Sequence, residues 1–182
     1  MTLAEFHALP EGPPYYEFEH GEFIPKNQPT ANHQETSGVL FSVIRPHVIA
    51  NALGRIWPEV EVDLTPGHGY APDLTFLATE NLDRLQPEGF IAGAPDLVVE
   101  ILSPHTARRD RTSKRRAYQA AGVPWLWLVD PDELVIEEYR LTPDGYLLAQ
   151  SVGPVELFNP GVFVGLSINL AELLGKPMLA ED

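Results

Sequence analysis

The chain has 182 residues, the length of one ordinary domain and too short for two full enzyme domains. Hydrophobic residues make up 44% and charged residues 21%, which is globular rather than disordered composition. Twelve Lys and Arg stand against 26 Asp and Glu, a net charge of −14 that argues against a simple nucleic-acid coat or an anionic-membrane binder, and with no cysteine there are no disulfides, thiolate metal sites or cysteine nucleophile.

The predicted elements run as follows. Residues 15–24 alternate apolar and charged side chains about His20-Gly21 and read as a hairpin. Residues 30–51 read as a helix, with Pro46 placed to kink it or end it early. Residues 55–64 alternate as one strand, with Pro58 at an edge or bulge. A short strand follows over 70–78, containing Pro72-Asp73-Leu74. Residues 97–102 are apolar on both faces, as in a central strand, and Ser103-Pro104 stops the run. A basic helix is predicted over 111–121, ended by Gly122 with Pro124 beyond. Residues 125–129 form another buried strand, two hairpins follow through 134–141 and 146–151, and a short helix covers 169–174. The order predicts an α/β or α+β domain on a mixed sheet. No basic N-terminal region with an apolar run is visible, and no apolar stretch approaches a membrane span. The expectation is one cytoplasmic domain over residues 1–182 with no membrane segment.

Glu100 is the sharpest chemical signal. It is a carboxylate inside the run Val98-Val99-Glu100-Ile101-Leu102, where an acid is costly to bury alone. It needs a cation, a basic partner or a raised pKa, and a buried ion pair would satisfy it as well as a metal. Asp96 shares its face but lies about 13 Å away along a strand, so Asp73 from a neighbouring strand is the better partner. Two carboxylates from adjacent strands suit a hard divalent cation such as Mg²⁺. Lys114, Tyr118 and Ala121 lie on one helical stripe, which packed on the sheet would turn the Lys114 ammonium toward the strand ends, the alternative being a snorkelling lysine on a solvated helix. Arg108, Arg109, Arg111, Lys114, Arg115 and Arg116 are six of the 12 basic residues, all within 108–116. In so acidic a chain that concentration suggests a phosphate-binding footprint, although pairing with acidic neighbours also fits. His33 is a candidate for the site, and Glu17 with Glu19 could add a carboxylate or form a solvated face. The other histidines lack ligand spacing, so a zinc site is not expected. No phosphate loop, dinucleotide fingerprint or nucleophile elbow is present.

Taken together, Pro72-Asp73-Leu74, the string from Pro95 through Glu100 to Pro104, Asp110 to Lys114, and the string from Tyr118 to Pro131 resemble the Uma-type family of bacterial restriction-endonuclease-like proteins. Tyr16-Glu17, Gly21-Glu22 and His33 resemble that family's N-terminal pattern. The resemblance implies a PD-(D/E)XK nuclease fold, a mixed sheet flanked by helices. It implies Asp73 and Glu100 as metal carboxylates for Mg²⁺ or Mn²⁺, with DNA as substrate. Leu102 stands where the standard motif has lysine, and Lys114 supplies the amine from the next helix. Arg108, Arg109, Arg111 and Arg115 are then the expected backbone contacts. Asp96, His33 and Glu17 become supporting residues, and a homodimer is plausible. The rival expectation is a nuclease fold that binds DNA or regulates without turnover.

Overall fold

The computed structural model describes residues 2–8, 12–64, 67–103 and 107–176. Of Ser103-Pro104, where the central strand was expected to stop, Pro104 lies outside them.

In chain order the elements are α1 (Leu3–His7), β1 (Tyr16–Glu19), β2 (Glu22–Pro25), α2 (Ala31–Ala50), β3 (Gly54–Pro58), β4 (Val62–Leu64), β5 (His68–Tyr70) and β6 (Leu74–Ala78). A 3₁₀ turn (Thr79–Arg84), β7 (Ile91–Ala92) and β8 (Leu97–Ile101) follow. Then come α3 (Ala107–Arg109), a π-helical turn (Asp110–Lys114), α4 (Arg115–Ala121), β9 (Trp125–Asp130), β10 (Val135–Thr142), β11 (Gly145–Val152) and α5 (Leu170–Leu173).

The strands form two sheets. The larger has the order β11-β10-β9-β8-β6-β3, and the smaller β2-β1-β5-β4-β7. β8 sits inside the larger sheet, antiparallel to β6 and parallel to β9, and all five of its residues are buried. Strand alternation splits its side chains between two cores. Leu97, Val99 and Ile101 pack with α2 and the C-terminal segment around Phe158 and Phe163. Val98 packs on the opposite side with Tyr118, Leu126 and the smaller sheet's Val62, Leu64 and Tyr70. Glu100 shares the face of Val98, so it points toward the helix and the smaller sheet.

Two predicted strands are each two strands in fact. Residues 55–64 break after Pro58, where Glu59 takes a left-handed φ of 48°. β3 stays at the edge of the larger sheet, and β4 enters the smaller one. Likewise the 70–78 segment divides between β5 and β6, because Pro72 has no N–H for a ladder. α2 runs through Pro46 without ending. The predicted 111–121 helix begins earlier, at Ala107. It ends as expected, with Gly122 at φ 84° and the Val123 N–H on Tyr118 O at 3.0 Å.

Candidate active site

The antiparallel register Leu74↔Val99 sets Asp73, just before β6, beside Glu100 on β8. Asp73 Oδ2 accepts the backbone N–H of Ile101 at 2.6 Å, which ties the two strand ends together. His33 reaches the same oxygen, with Nε2 at 3.2 Å. Its position is local in origin. Thr30 caps α2 by accepting the His33 N–H, which fixes the first turn and points His33 at the strand ends.

Lys114 comes from the π turn. The Arg115 N–H bonds Asp110 O five residues back, which widens the helix there. Asp110 and Lys114 are thereby buried on the side facing the sheet. Lys114 Nζ lies 2.9 Å from Glu100 Oε1, 2.9 Å from Glu17 Oε1 and 3.7 Å from Asp110 Oδ1. One turn on, the Tyr118 hydroxyl donates to the same Glu100 Oε1. Arg109 bonds Glu17 and places its guanidinium on Glu19 Oε1, at 2.5 Å from Nη2 and 3.0 Å from Nε. Tyr70 donates to that Glu19 oxygen at 2.9 Å, beneath both cations.

Asp73, Glu100, Lys114, Glu17, Asp110, Arg109 and His33 line one cleft of about 160 Å³. Its far wall is the end of β2 and the loop into α2, with Asn27 and Gln28. The lining carries five carboxyl groups (Glu17, Glu59, Asp73, Glu100, Asp110) against three fixed cations (Lys26, Arg109, Lys114), an excess of two negative charges when all five are ionised and His33 is neutral. Burial, together with Asp110, Asp73 and Glu17, pushes Glu100 up to about 8, against the pull of Lys114. Burial acts to lower Lys114, but Glu100, Glu17 and Asp110 hold it well above the usual lysine value. Burial also acts to raise Glu17, and Lys114 with Arg109 bring it below the usual range. Burial acts to lower His33, but the bond to Asp73 and the negative charges of Asp73 and Glu100 together hold it above its ordinary value.

Of the residues singled out in the sequence, Asp73, Glu100, Lys114, His33 and Glu17 meet in this cleft. Asp96 does not. It accepts the Ala78 N–H at 2.7 Å and the Asn81 amide at 2.8 Å, a clamp at the far end of β8. The expected phosphate contacts also divide. Arg109 is engaged by Glu17 and Glu19, Arg111 pairs with Glu137 at 2.5 Å, and Arg115 lies 5.3 Å over the Tyr139 ring. Arg108 is exposed. The stripe that found Lys114 also contained Tyr118, but only the fold shows Tyr118 on Glu100. Asp110, four residues before Lys114, gave no separate signal. A second group, His7, Glu61 and Asp63, offers ligand atoms within 4.8 Å of one another. Its histidine already sits between the two carboxylates at 3.2 and 2.7 Å, which accounts for its compactness.

Asp73 and Glu100 each use one oxygen within the protein. Among the described residues no donor reaches Asp73 Oδ1 or Glu100 Oε2. Two half-satisfied carboxyl groups in a lining where acids outnumber fixed cations fit a hard divalent cation with oxygen ligands. No helix among the described residues is long and apolar enough to cross a membrane.

The fold is shared with a protein of known structure, described as a putative nuclease belonging to DUF820, from Anabaena variabilis. The two chains are 27% identical, with a TM-score of 0.79, covering 98% of this chain and 99% of that one. The type IIG restriction endonuclease BpuSI aligns at 10% identity and TM-score 0.44, over 83% of this chain and 16% of that one. No curated protein matches. Residues 3–171 match the family described as "Uma2: Putative restriction endonuclease". With both sheets, the paired carboxylates and the helix lysine inside that span, the chain belongs to the Uma2 family.

Proposed function

We propose that the protein is a metal-dependent endonuclease that hydrolyses DNA phosphodiester bonds at the Asp73–Glu100–Lys114 cleft. The observation that carries this reading is the convergence of two carboxylates, each with an oxygen left over, beside a buried ammonium. Asp73 and Glu100 would hold Mg²⁺ or Mn²⁺. When bound, such a cation supplies charge to polarise a phosphoryl oxygen and acidity to activate a water.

The chain's own residues do the rest. Lys114 is held protonated by three carboxylates, so it acts as a fixed positive charge and not as a base. It orients the attacking water and offsets charge that builds on the phosphoryl oxygens as the P–O bond breaks. Glu17 and Asp110 hold the ammonium in place, and Arg109 holds Glu17. His33 and the Ile101 N–H fix the orientation of Asp73. Arg108, the exposed one of the four expected contacts, positions the DNA backbone without reading sequence, and Arg111 and Arg115 join it only by leaving Glu137 and Tyr139. The intact constellation favours turnover over a silent binding role.

The reading includes a cytoplasmic protein of one domain. It also includes a homodimer, since a duplex presents two strands and one cleft cuts one. Light scattering at increasing concentration checks the dimer. The activity is checked by incubating purified protein with plasmid and Mn²⁺ or Mg²⁺. Cutting is expected with either ion and none after chelation. Cutting that persists in Asp73→Ala or Glu100→Ala protein would belong to a contaminant and sink the assignment.

A further inference from the structure

We propose that Tyr118 is a positioning residue of this site: its hydroxyl and the Lys114 ammonium together hold Glu100 Oε1, so that Oε2 alone is presented to the cation. The inference rests on the reading that Asp73 and Glu100 hold a divalent ion.

The geometry is specific. Tyr118 is fully buried, and its hydroxyl donates to Glu100 Oε1, the oxygen that also takes Lys114 Nζ at 2.9 Å. A carboxylate oxygen with two such donors is satisfied, while Oε2 has no donor among the described residues. Lys114 and Tyr118 are four residues apart, so the two donors arrive from successive turns of one helix face. The phenol ring has little freedom. It packs edge-on against Tyr70 with centroids 5.6 Å apart, and Tyr70 is itself tied to Glu19.

The consequence is a difference between the two oxygens of one side chain. An untied glutamate swings between binding through one oxygen and through two, and binding must then order it. With Oε1 pinned, Glu100 meets the ion already oriented and through one oxygen. Outer residues that hold a ligand in this way typically change metal affinity by about 10- to 100-fold when removed. A hydroxyl present only to fill its own hydrogen bond would change stability and leave the affinity alone.

The test uses the full chain and Mn²⁺ alone, with binding read by the electron paramagnetic resonance signal of free Mn²⁺. Tyr118→Phe removes the hydroxyl and keeps the ring. The dissociation constant is expected to rise about tenfold or more, and the gain in melting temperature from saturating Mn²⁺ to shrink. Wild-type Mn²⁺ affinity in Tyr118→Phe, whatever its melting temperature, would overturn the proposal. Should that variant not fold, 3-fluorotyrosine placed only at position 118 decides. Its fluorine resonance is expected to move on Mg²⁺ titration, with a midpoint equal to the calorimetric dissociation constant. A resonance that stays still while calorimetry records binding overturns the idea equally. Failure of the underlying reading looks different: wild-type and Glu100→Gln proteins then bind Mn²⁺ alike, and this inference falls with it.

Discussion

Two glutamates lie in the larger sheet with almost no exposure, Glu100 at 4% and Glu138 at 1%. They are held in opposite ways. Glu138 on β10 is paired with Trp127 and Gln150, and those neighbours supply its donors. Trp127 Nε1 donates at 2.9 Å, Gln150 Nε2 at 2.9 Å and the Gly161 N–H at 3.1 Å. All three are neutral, and both oxygens are used. Glu100 faces Leu128 on one side and Asp73 on the other, neither of which donates to it. Its donors come from a separate helix, one of them is charged, three acids stand nearby, and one oxygen is left over. A buried carboxylate saturated by neutral donors clips a fold together. A buried carboxylate that is half satisfied, among other acids and at the wall of a cleft, is poised for a cation.

Substitutions at the two sites should therefore fail in different currencies. The largest expected effect is on cleavage. Asp73→Asn or Glu100→Gln should lower plasmid cutting by about 10³-fold or more, as expected for loss of transition-state charge stabilisation, with the circular dichroism spectrum retained. Next is Glu138→Ala. It leaves the fully buried Trp127 indole N–H without an acceptor, at a cost of about 2 kcal/mol in urea unfolding. Its Mn²⁺ affinity should equal that of wild type. If Glu138→Ala abolished Mn²⁺ binding in a folded protein, the contrast between the two glutamates would be lost.

A pH series sharpens the same contrast. Glu100 has an ordinary value of 4.5 and is pushed up to about 8 in the fold. Between those values the native state binds more protons than the unfolded chain, so this group lowers stability as pH rises through the window. In metal-free protein, wild type should lose stability relative to Glu100→Gln from about pH 5 to pH 8. A constant difference in melting temperature across that range would count against the charged pocket. Saturating Mn²⁺ should flatten the slope. The smallest effect is expected at the rim. Arg108→Ala should weaken DNA binding modestly and reduce the log–log salt slope by about one. An unchanged slope would remove Arg108 from the contact surface.

The contrast also shows what was legible in the chain. Glu100 stood out as one acid in an apolar run, and helical spacing put Lys114 on the stripe able to face the strand ends. Glu138 gave no such signal. It shares the face of Ile136 by strand alternation, and that face is buried only because the distant C-terminal segment carrying Phe158 and Gly161 folds over it. Glu17 looked like a member of a solvated hairpin face, yet it is buried against Lys114 and Arg109, 97 and 92 residues away. Such long-range closure of the smaller sheet onto the helix has no local pattern. The π turn was equally hidden, although it is what buries Asp110 with Lys114. The basic cluster was read by composition alone. Only the fold shows that Arg109 is spent on Glu17 and Glu19.

The account's central claim is that Asp73 and Glu100 together hold one divalent ion. Crystals soaked in Mn²⁺ and measured at the manganese absorption edge test it most directly. The prediction is an anomalous peak within bonding distance of both carboxylates, on the side of Asp73 Oδ1 and Glu100 Oε2. A cleft without a peak at saturating Mn²⁺, or a single peak among His7, Glu61 and Asp63 instead, would contradict it.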